Sequence, residues 1–230
     1  MQSATLERQP LGDLLTQHYD DKPDDYFVGA RSDFVAAMPR NPEASILEIG
    51  CGSGATASLA MESERCGRYV GVELDQRAAD LASKVLSEVR VGNIEAMELD
   101  WPTASFDALI LSEVLEHLVD PWRVMARLAP LVRPGGQVFA SSPNLAHFKI
   151  VMELLRGDWN LTDSGVKDRT HLRWFTPRTF KALFEGAGFE VTHLGTHAPL
   201  GPKSKLISKL SGGRLDHLLV RQIVVHGRKT

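Results

Sequence analysis

The sequence predicts an α/β fold, a doubly wound and mostly parallel sheet with helices on both faces, built as a single domain over residues 1–230. Three observations carry this. Short apolar runs bounded by glycine alternate with amphipathic helical stretches from residue 45 to residue 141. A glycine-rich loop, Gly50-Cys-Gly-Ser-Gly54, joins the first run to its helix. The composition, 43% hydrophobic and 24% charged over 230 residues, suits one core that needs no staples.

The same numbers exclude whole classes. Two cysteines cannot build a disulfide framework. With 26 basic and 29 acidic residues the net charge is -3, which disfavours a nucleic-acid binder. No apolar run is long enough to span a bilayer, and MQSATLERQP lacks the basic start and apolar stretch of a signal peptide. The expectation is a cytoplasmic, reduced protein.

The elements follow in order. Leu6 to Tyr19 and Tyr26 to Met38 read as one-faced helices, the second closed by Pro39 and Pro42, and residues 1–40 together form an N-terminal helical cap. Buried strands are expected at Ser45–Gly50, Arg68–Leu74, Phe106–Ser112 and Gln137–Ser141, with a weaker one at Val89–Gly92. Helices are expected at Ala55–Ser63, Gln76–Leu86 and Pro121–Val132. Asp120 caps the last of these, and a Pro134-Gly135-Gly136 turn stops it. Residues 144–176 form a substrate-facing lid rich in aromatic and charged side chains. Thr176–Ala187 is a helix, and Phe189–His197 and His217–His226 are strands. The connector Pro199–Arg214 shows glycine and proline but no clear helix, so these two strands read as a hairpin with the last one antiparallel at or near the edge.

Glycines at 50, 52 and 54 allow a tight turn and let a ligand lie against bare backbone. Glu73, at the end of the next strand, can accept two hydrogen bonds from a ribose diol. That pair could serve a dinucleotide. The spacing, however, is Gly-x-Gly-x-Gly, and Glu48 on the first strand would repel a pyrophosphate and suits a cationic amino group.

The segments ILEIGCGSG, GVELD, FDALILSEVLEHL and LVRPGGQVFASSPN, in that order, resemble those of class I S-adenosylmethionine-dependent methyltransferases over about residues 24–197. The resemblance implies a seven-stranded sheet of order 3-2-1-4-5-7-6 with the seventh strand antiparallel. It also implies S-adenosylmethionine as cofactor, held by Glu48, Gly50, Gly52, Gly54 and Glu73. Asn93 and Ile94 match the pair that meets adenine, although the family usually has Asp at the first. Ser112 matches a position lining the cofactor. Arg31 matches an arginine that reaches it in ubiquinone-type O-methyltransferases.

Glu113, Glu116 and His117 follow the fourth strand; if that segment is helical, they share one face at the mouth of the sheet, and His171 could fold over the same mouth. Two carboxylates and imidazoles there can act as catalytic acid or base, or hold a divalent metal. Glu-x-x-Glu-His resembles the metal-binding segment of ubiquinone-biosynthesis O-methyltransferases and of small-RNA 3′-terminal 2′-O-methyltransferases. The lid resembles that of methyltransferases found with surface-polysaccharide genes and, more loosely, MetW-type proteins.

The expected activity is O-methylation of a small-molecule or saccharide hydroxyl. Two other readings stand beside it, a metal-dependent RNA 3′-terminal 2′-O-methyltransferase and a non-catalytic MetW-like regulator that binds S-adenosylmethionine. Lys203, Lys205, Lys209 and Arg214 make the connector basic, able to touch an anionic carrier or membrane surface but most simply a solvated loop.

Overall fold

The computed structural model describes residues 29–197 and 199–230. The expected helix over 6–19 and most of the cap over 1–40 lie outside the described residues. Of the helix expected over 26–38, α1 (Ser32–Ala37) is described.

Seven strands form one sheet in the order β3-β2-β1-β4-β5-β7-β6. Their ranges are β1 Ser45–Ile49, β2 Arg68–Glu73, β3 Glu88–Val91, β4 Phe106–Ser112, β5 Val132–Pro143, β6 Phe189–Gly195 and β7 Gln222–Lys229. Helices α2 (Ala55–Glu62), α3 (Gln76–Ala82) and α4 (Pro121–Leu128) make the parallel crossovers, and α5 (Phe148–Leu155) and α6 (Pro177–Gly186) follow β5. Strand β7 runs antiparallel to both β5 and β6.

The period of two along each strand sends alternate side chains to opposite faces. Leu47, Ile49, Val70, Val72, Leu109 and Leu111 meet α4 and α6 through Met125, Leu128, Phe180 and Phe184. Ile46, Tyr69, Ala108, Ile110 and Phe139 meet α1 and α2 through Phe34, Val35, Ala57 and Ala60. Burying each of the larger side chains stabilises the fold by about 1.5–3 kcal/mol. Glu48 lies on the second face, deep among these residues and only 2% exposed.

Helix starts follow the caps the sequence offers. The Asp120 carboxylate accepts from the Arg123 amide at 3.0 Å, with Pro121 in the first turn of α4. Thr176 and Thr179 form a reciprocal capping box for α6.

Three expectations are corrected. Helix α4 ends at Leu128, and a 3₁₀ turn over Ala129–Leu131 leads directly into β5. Pro134-Gly135-Gly136 is therefore not the helix stop. It belongs to a bulge in β5 where the register passes from Phe106↔Val132 to Ala108↔Gln137. Gly136 is required there, because a Cβ would lie 2.9 Å from the Asp107 and Arg133 carbonyl oxygens. Finally, the 199–214 connector is not a plain loop. It holds α7 (Pro202–Ser211), with α8 (Asp216–Leu219) after it, so the last strand begins at Gln222 and the edge is β6. Pro202 is the first residue of α7, and Gly212, at φ +58°, closes it in a left-handed cap.

Candidate active site

A cavity of about 360 Å³ opens at the carboxyl ends of β1, β2 and β4, where an open parallel sheet binds ligands. Gly50, Cys51 and Gly52 form one wall, and Gly92, Asn93 and Ile94 another. The loop after β4 and residues Ser164, Gly165, Asp168 and His171 close the far side.

The glycine loop is pinned to its neighbour strand. Gly50 and Cys51 donate to the Val72 carbonyl at 2.8 and 3.3 Å. At Gly50, φ +71°, a Cβ would meet Val114 Cγ2 at 2.7 Å, so only glycine passes between the strand and the post-β4 loop. Gly54, by contrast, does not line the cavity. At φ +87° it packs α2 against α3, where its Cβ would approach Leu86 and Ala82.

Glu73 accepts from the Gly52 amide at 2.8 Å through one oxygen and from Leu74 and Asp75 at 2.7 and 3.0 Å through the other. Burial pushes its carboxyl above the ordinary value in spite of these three bonds. Glu48 lies deeper and accepts from Tyr69 Oη at 2.8 Å. Burial foremost, with the charge of Glu73, raises Glu48 to about 7 against the Tyr69 hydrogen bond.

Arg31 is held at the mouth, and its side chain is only 12% exposed. Its Nη1 donates to Ser112 Oγ at 2.6 Å and Ser141 Oγ at 2.5 Å, bridging the ends of β4 and β5. Its other nitrogens grip Asp33 at 2.9 and 2.8 Å. Although burial acts to raise Asp33, the Arg31 bonds and charge, with His197, bring its carboxyl down to about 2. We expect Arg31→Ala to destabilise the protein by about 1–2 kcal/mol, a value kept low because Asp33 is partly solvated. Thermal unfolding checks it, and Arg31→Lys recovers only part of the loss because a lysine cannot supply the fork.

Asn93 and Ile94 line the cavity beyond β3. The Asn93 amide oxygen accepts from the Glu95 amide at 2.9 Å, and Arg127 of α4 donates to the Ile94 and Glu95 carbonyls at 3.0 and 3.1 Å, fixing this wall.

The segment after β4 is not the helix that would place Glu113, Glu116 and His117 on one face. Glu113 sits in the left-handed region at φ +54°, and only Leu115–His117 form a 3₁₀ turn. The structure instead brings Glu116, His117 and His171 together, with one ligand atom of each within 4.8 Å of the others, and leaves Glu113 outside that set. Glu113 lines the cavity, with one carboxylate oxygen buried and unpartnered. Glu116 lies behind it, 1% exposed, with both carboxylate oxygens buried near the Ser142 side chain. Burial, then the charge of Glu113, pushes its carboxyl well up. The Glu116 backbone carbonyl accepts from Leu172 and Arg173 at 2.8 and 2.9 Å, which staples the His171 loop in place.

Nδ1 of His117 faces the Thr170 carbonyl at 3.3 Å and Oγ1 at 3.2 Å, and Thr170 Oγ1 donates to Asp168 at 2.8 Å. A carbonyl only accepts, so Nδ1 carries a proton, which in the neutral ring leaves the lone pair on Nε2. His171 is arranged alike, with Nδ1 3.2 Å from the Val166 carbonyl.

The model of the Methyltransferase domain family matches residues 24–194, most of the chain. The chain belongs to the class I S-adenosylmethionine-dependent methyltransferases. It is 30% identical over 171 residues to a ubiquinone biosynthesis O-methyltransferase of Aeromonas salmonicida, covering 70% of each chain. A ubiquinone biosynthesis O-methyltransferase of Aromatoleum aromaticum is 31% identical over 157 residues, or 65% of each. The fold matches a SAM-dependent methyltransferase from Archaeoglobus fulgidus with a TM-score of 0.63 at 17% identity, over 90% of this chain and 97% of that one.

Sequence reasoning missed several residues that line this methyltransferase's cavity or support its lining. Thr56, 4% exposed, lines it and accepts from the Arg31 amide at 3.2 Å. Tyr69 holds Glu48, Ser141 holds Arg31, and Asp168 with Thr170 orients His117. Only Asp168 carried a signal, as an acid three residues before His171.

Glu48 also makes the methyltransferase's stability depend on pH. Its carboxyl keeps a proton to about 7 when folded, against 4.5 ordinarily, so between those values the folded state binds more protons and stability falls as pH rises. Glu48→Gln removes that cost, and Tyr69 can still donate to the amide oxygen. The ligand-free variant is expected to be more stable by on the order of 3 kcal/mol at pH 8, with most of the gain gone by pH 5, as read in denaturant melts.

Proposed function

We propose that the enzyme methylates a hydroxyl oxygen of a small molecule or saccharide, with the cofactor on the Gly50–Gly52 wall and the acceptor on the Glu113, His117 and His171 side. The observation that carries this reading is the pairing, across one cavity, of a bare-backbone loop and ribose acid with the Glu113 carboxylate and the His117 and His171 imidazoles, with Glu116 packed beside those rings. Ubiquinone biosynthesis O-methyltransferases among the relatives support oxygen as the acceptor atom.

The residues present fit S-adenosylmethionine. The Glu73 oxygens suit a ribose diol, and Glu48 suits the amino group of the methionine moiety. Asn93 and Ile94 offer an amide and an apolar edge to adenine. Arg31 and Ser112 border the methionine end, and Gly54 acts one step back by setting how closely α2 approaches the loop. When bound, the cofactor supplies a methyl group already activated by its positive sulfur. The chain's own task is alignment, exclusion of water and removal of the hydroxyl proton. His117 Nε2 takes that proton, while Asp168 and Thr170 hold the ring. His171 and residues 144–176 cover the acceptor.

The Glu116, His117 and His171 set also fits a divalent cation: a buried carboxylate and two imidazoles, with one ligand atom of each within 4.8 Å of the others. A metal there would lower the pKa of the acceptor hydroxyl. Turnover of labelled cofactor over a panel of phenols, sugars and hydroxy acids tests the reading. Methyl transfer to oxygen, lost in Glu116→Ala, supports it, and transfer only to nitrogen or carbon contradicts it. Full activity in chelator, with no thermal shift on adding magnesium or manganese, assigns the cluster to proton transfer alone.

A further inference from the structure

Helix α7 is turned inside out for a water-facing surface. Ser204, Ser208 and Ser211, spaced by four and three, are its half-buried residues and share the face towards the protein. Leu206 and Leu210 point away from it and are 57% and 79% exposed, and Ile207, at the border of the serine face, is 41% exposed. No residue of the helix is buried. An ordinary surface helix does the reverse. Lys205 and Lys209 border the apolar stripe on one side, Lys203 stands on it one turn before Ile207, Arg214 follows, and no acid occurs anywhere in 202–214.

We propose that this face docks on an anionic membrane surface. An apolar stripe bordered by lysines suits the boundary between headgroups and acyl chains, where leucines enter and lysines meet lipid phosphate. Charge sets the orientation. The whole chain carries -3 and is repelled by an anionic bilayer except where basic residues cluster. The helix lies on the membrane and does not cross it: among the described residues no helix is long and apolar enough to span.

The face is anchored at the mouth end of the sheet. Gln222, where β7 begins, pairs with Pro143, which lines the cavity. The Asn144 amide donates to the His217 and Val220 carbonyls, both at 2.7 Å, tying the chain after α7 to the start of the 144–176 segment. Helix α5, which follows the same end of β5, adds exposed Phe148, Met152 and Leu155. The proposal is independent of which atom is methylated.

The test is co-sedimentation of the full chain with phosphatidylcholine vesicles, with and without phosphatidylglycerol. Two triple variants are compared, Lys203→Glu/Lys205→Glu/Lys209→Glu and Leu206→Ser/Ile207→Ser/Leu210→Ser, whose side chains are exposed and leave the core untouched. The wild type is expected to bind the anionic vesicles at least about tenfold more than the neutral ones, and each variant to lose about tenfold of that binding. Calorimetry with S-adenosylhomocysteine, unchanged in both, shows the fold and cofactor site intact. Equal binding to both vesicles overturns the proposal, as does wild-type binding in either variant. So does no binding at all, the result expected if the acidic segment 1–28 or a second copy covers the helix.

Discussion

Glu73→Ala is expected to weaken S-adenosylhomocysteine binding by at least about 100-fold, or about 3 kcal/mol, because two ribose hydroxyls lose a charged acceptor. The same change strands the Gly52, Leu74 and Asp75 amides, which now share that carboxylate. The loop should loosen, with a loss of about 2 kcal/mol of stability after allowing for the relief of burying the acid. Calorimetry and thermal melts separate the two effects. Glu73→Gln should restore part of the stability but little of the affinity, since its amide nitrogen points a donor at donors.

His117→Ala should behave in the opposite way. Turnover is expected to fall by about 10²–10⁴, the range for removing a positioned general base, while the cofactor dissociation constant moves by less than about twofold. Glu116→Ala should lower turnover comparably, because it empties a buried position beside both imidazoles and disturbs the 3₁₀ turn whose carbonyl staples the His171 loop. Thr170→Val provides a graded version. It removes the hydroxyl that accepts from His117 Nδ1 but leaves the Thr170 carbonyl, so a smaller loss in kcat with little change in KM is expected. Single-turnover assays with saturating cofactor read these effects without interference from binding.

Much of this site could be read before the fold was known, because its signals are local. Glycine spacing demands a tight turn, an acid ends the next strand, and apolar runs alternate with helices. The strand order came from resemblance, since residue pattern alone says only that β7 is antiparallel at or near the edge, and the structure seats it next to the edge strand, between β5 and β6. What stayed hidden depends on contacts distant in sequence or on one backbone angle. Arg31 meets Ser112 across 81 positions, and Thr170 meets His117 across 53. The positive φ of Glu113 breaks the helical face that its spacing suggests. Helix α7 was missed because Pro202 and Gly212 look alike as loop residues, although one starts a helix and the other ends it. Its inward serines then obscured the usual apolar period.

The most direct test is amide hydrogen exchange on the full chain, with and without S-adenosylhomocysteine. The account predicts slowed exchange confined to residues 50–56, 73–75 and 93–95, strongest at the Gly52 amide, which Glu73 already holds. Unchanged exchange there, or protection centred on the opposite end of the sheet, would contradict it.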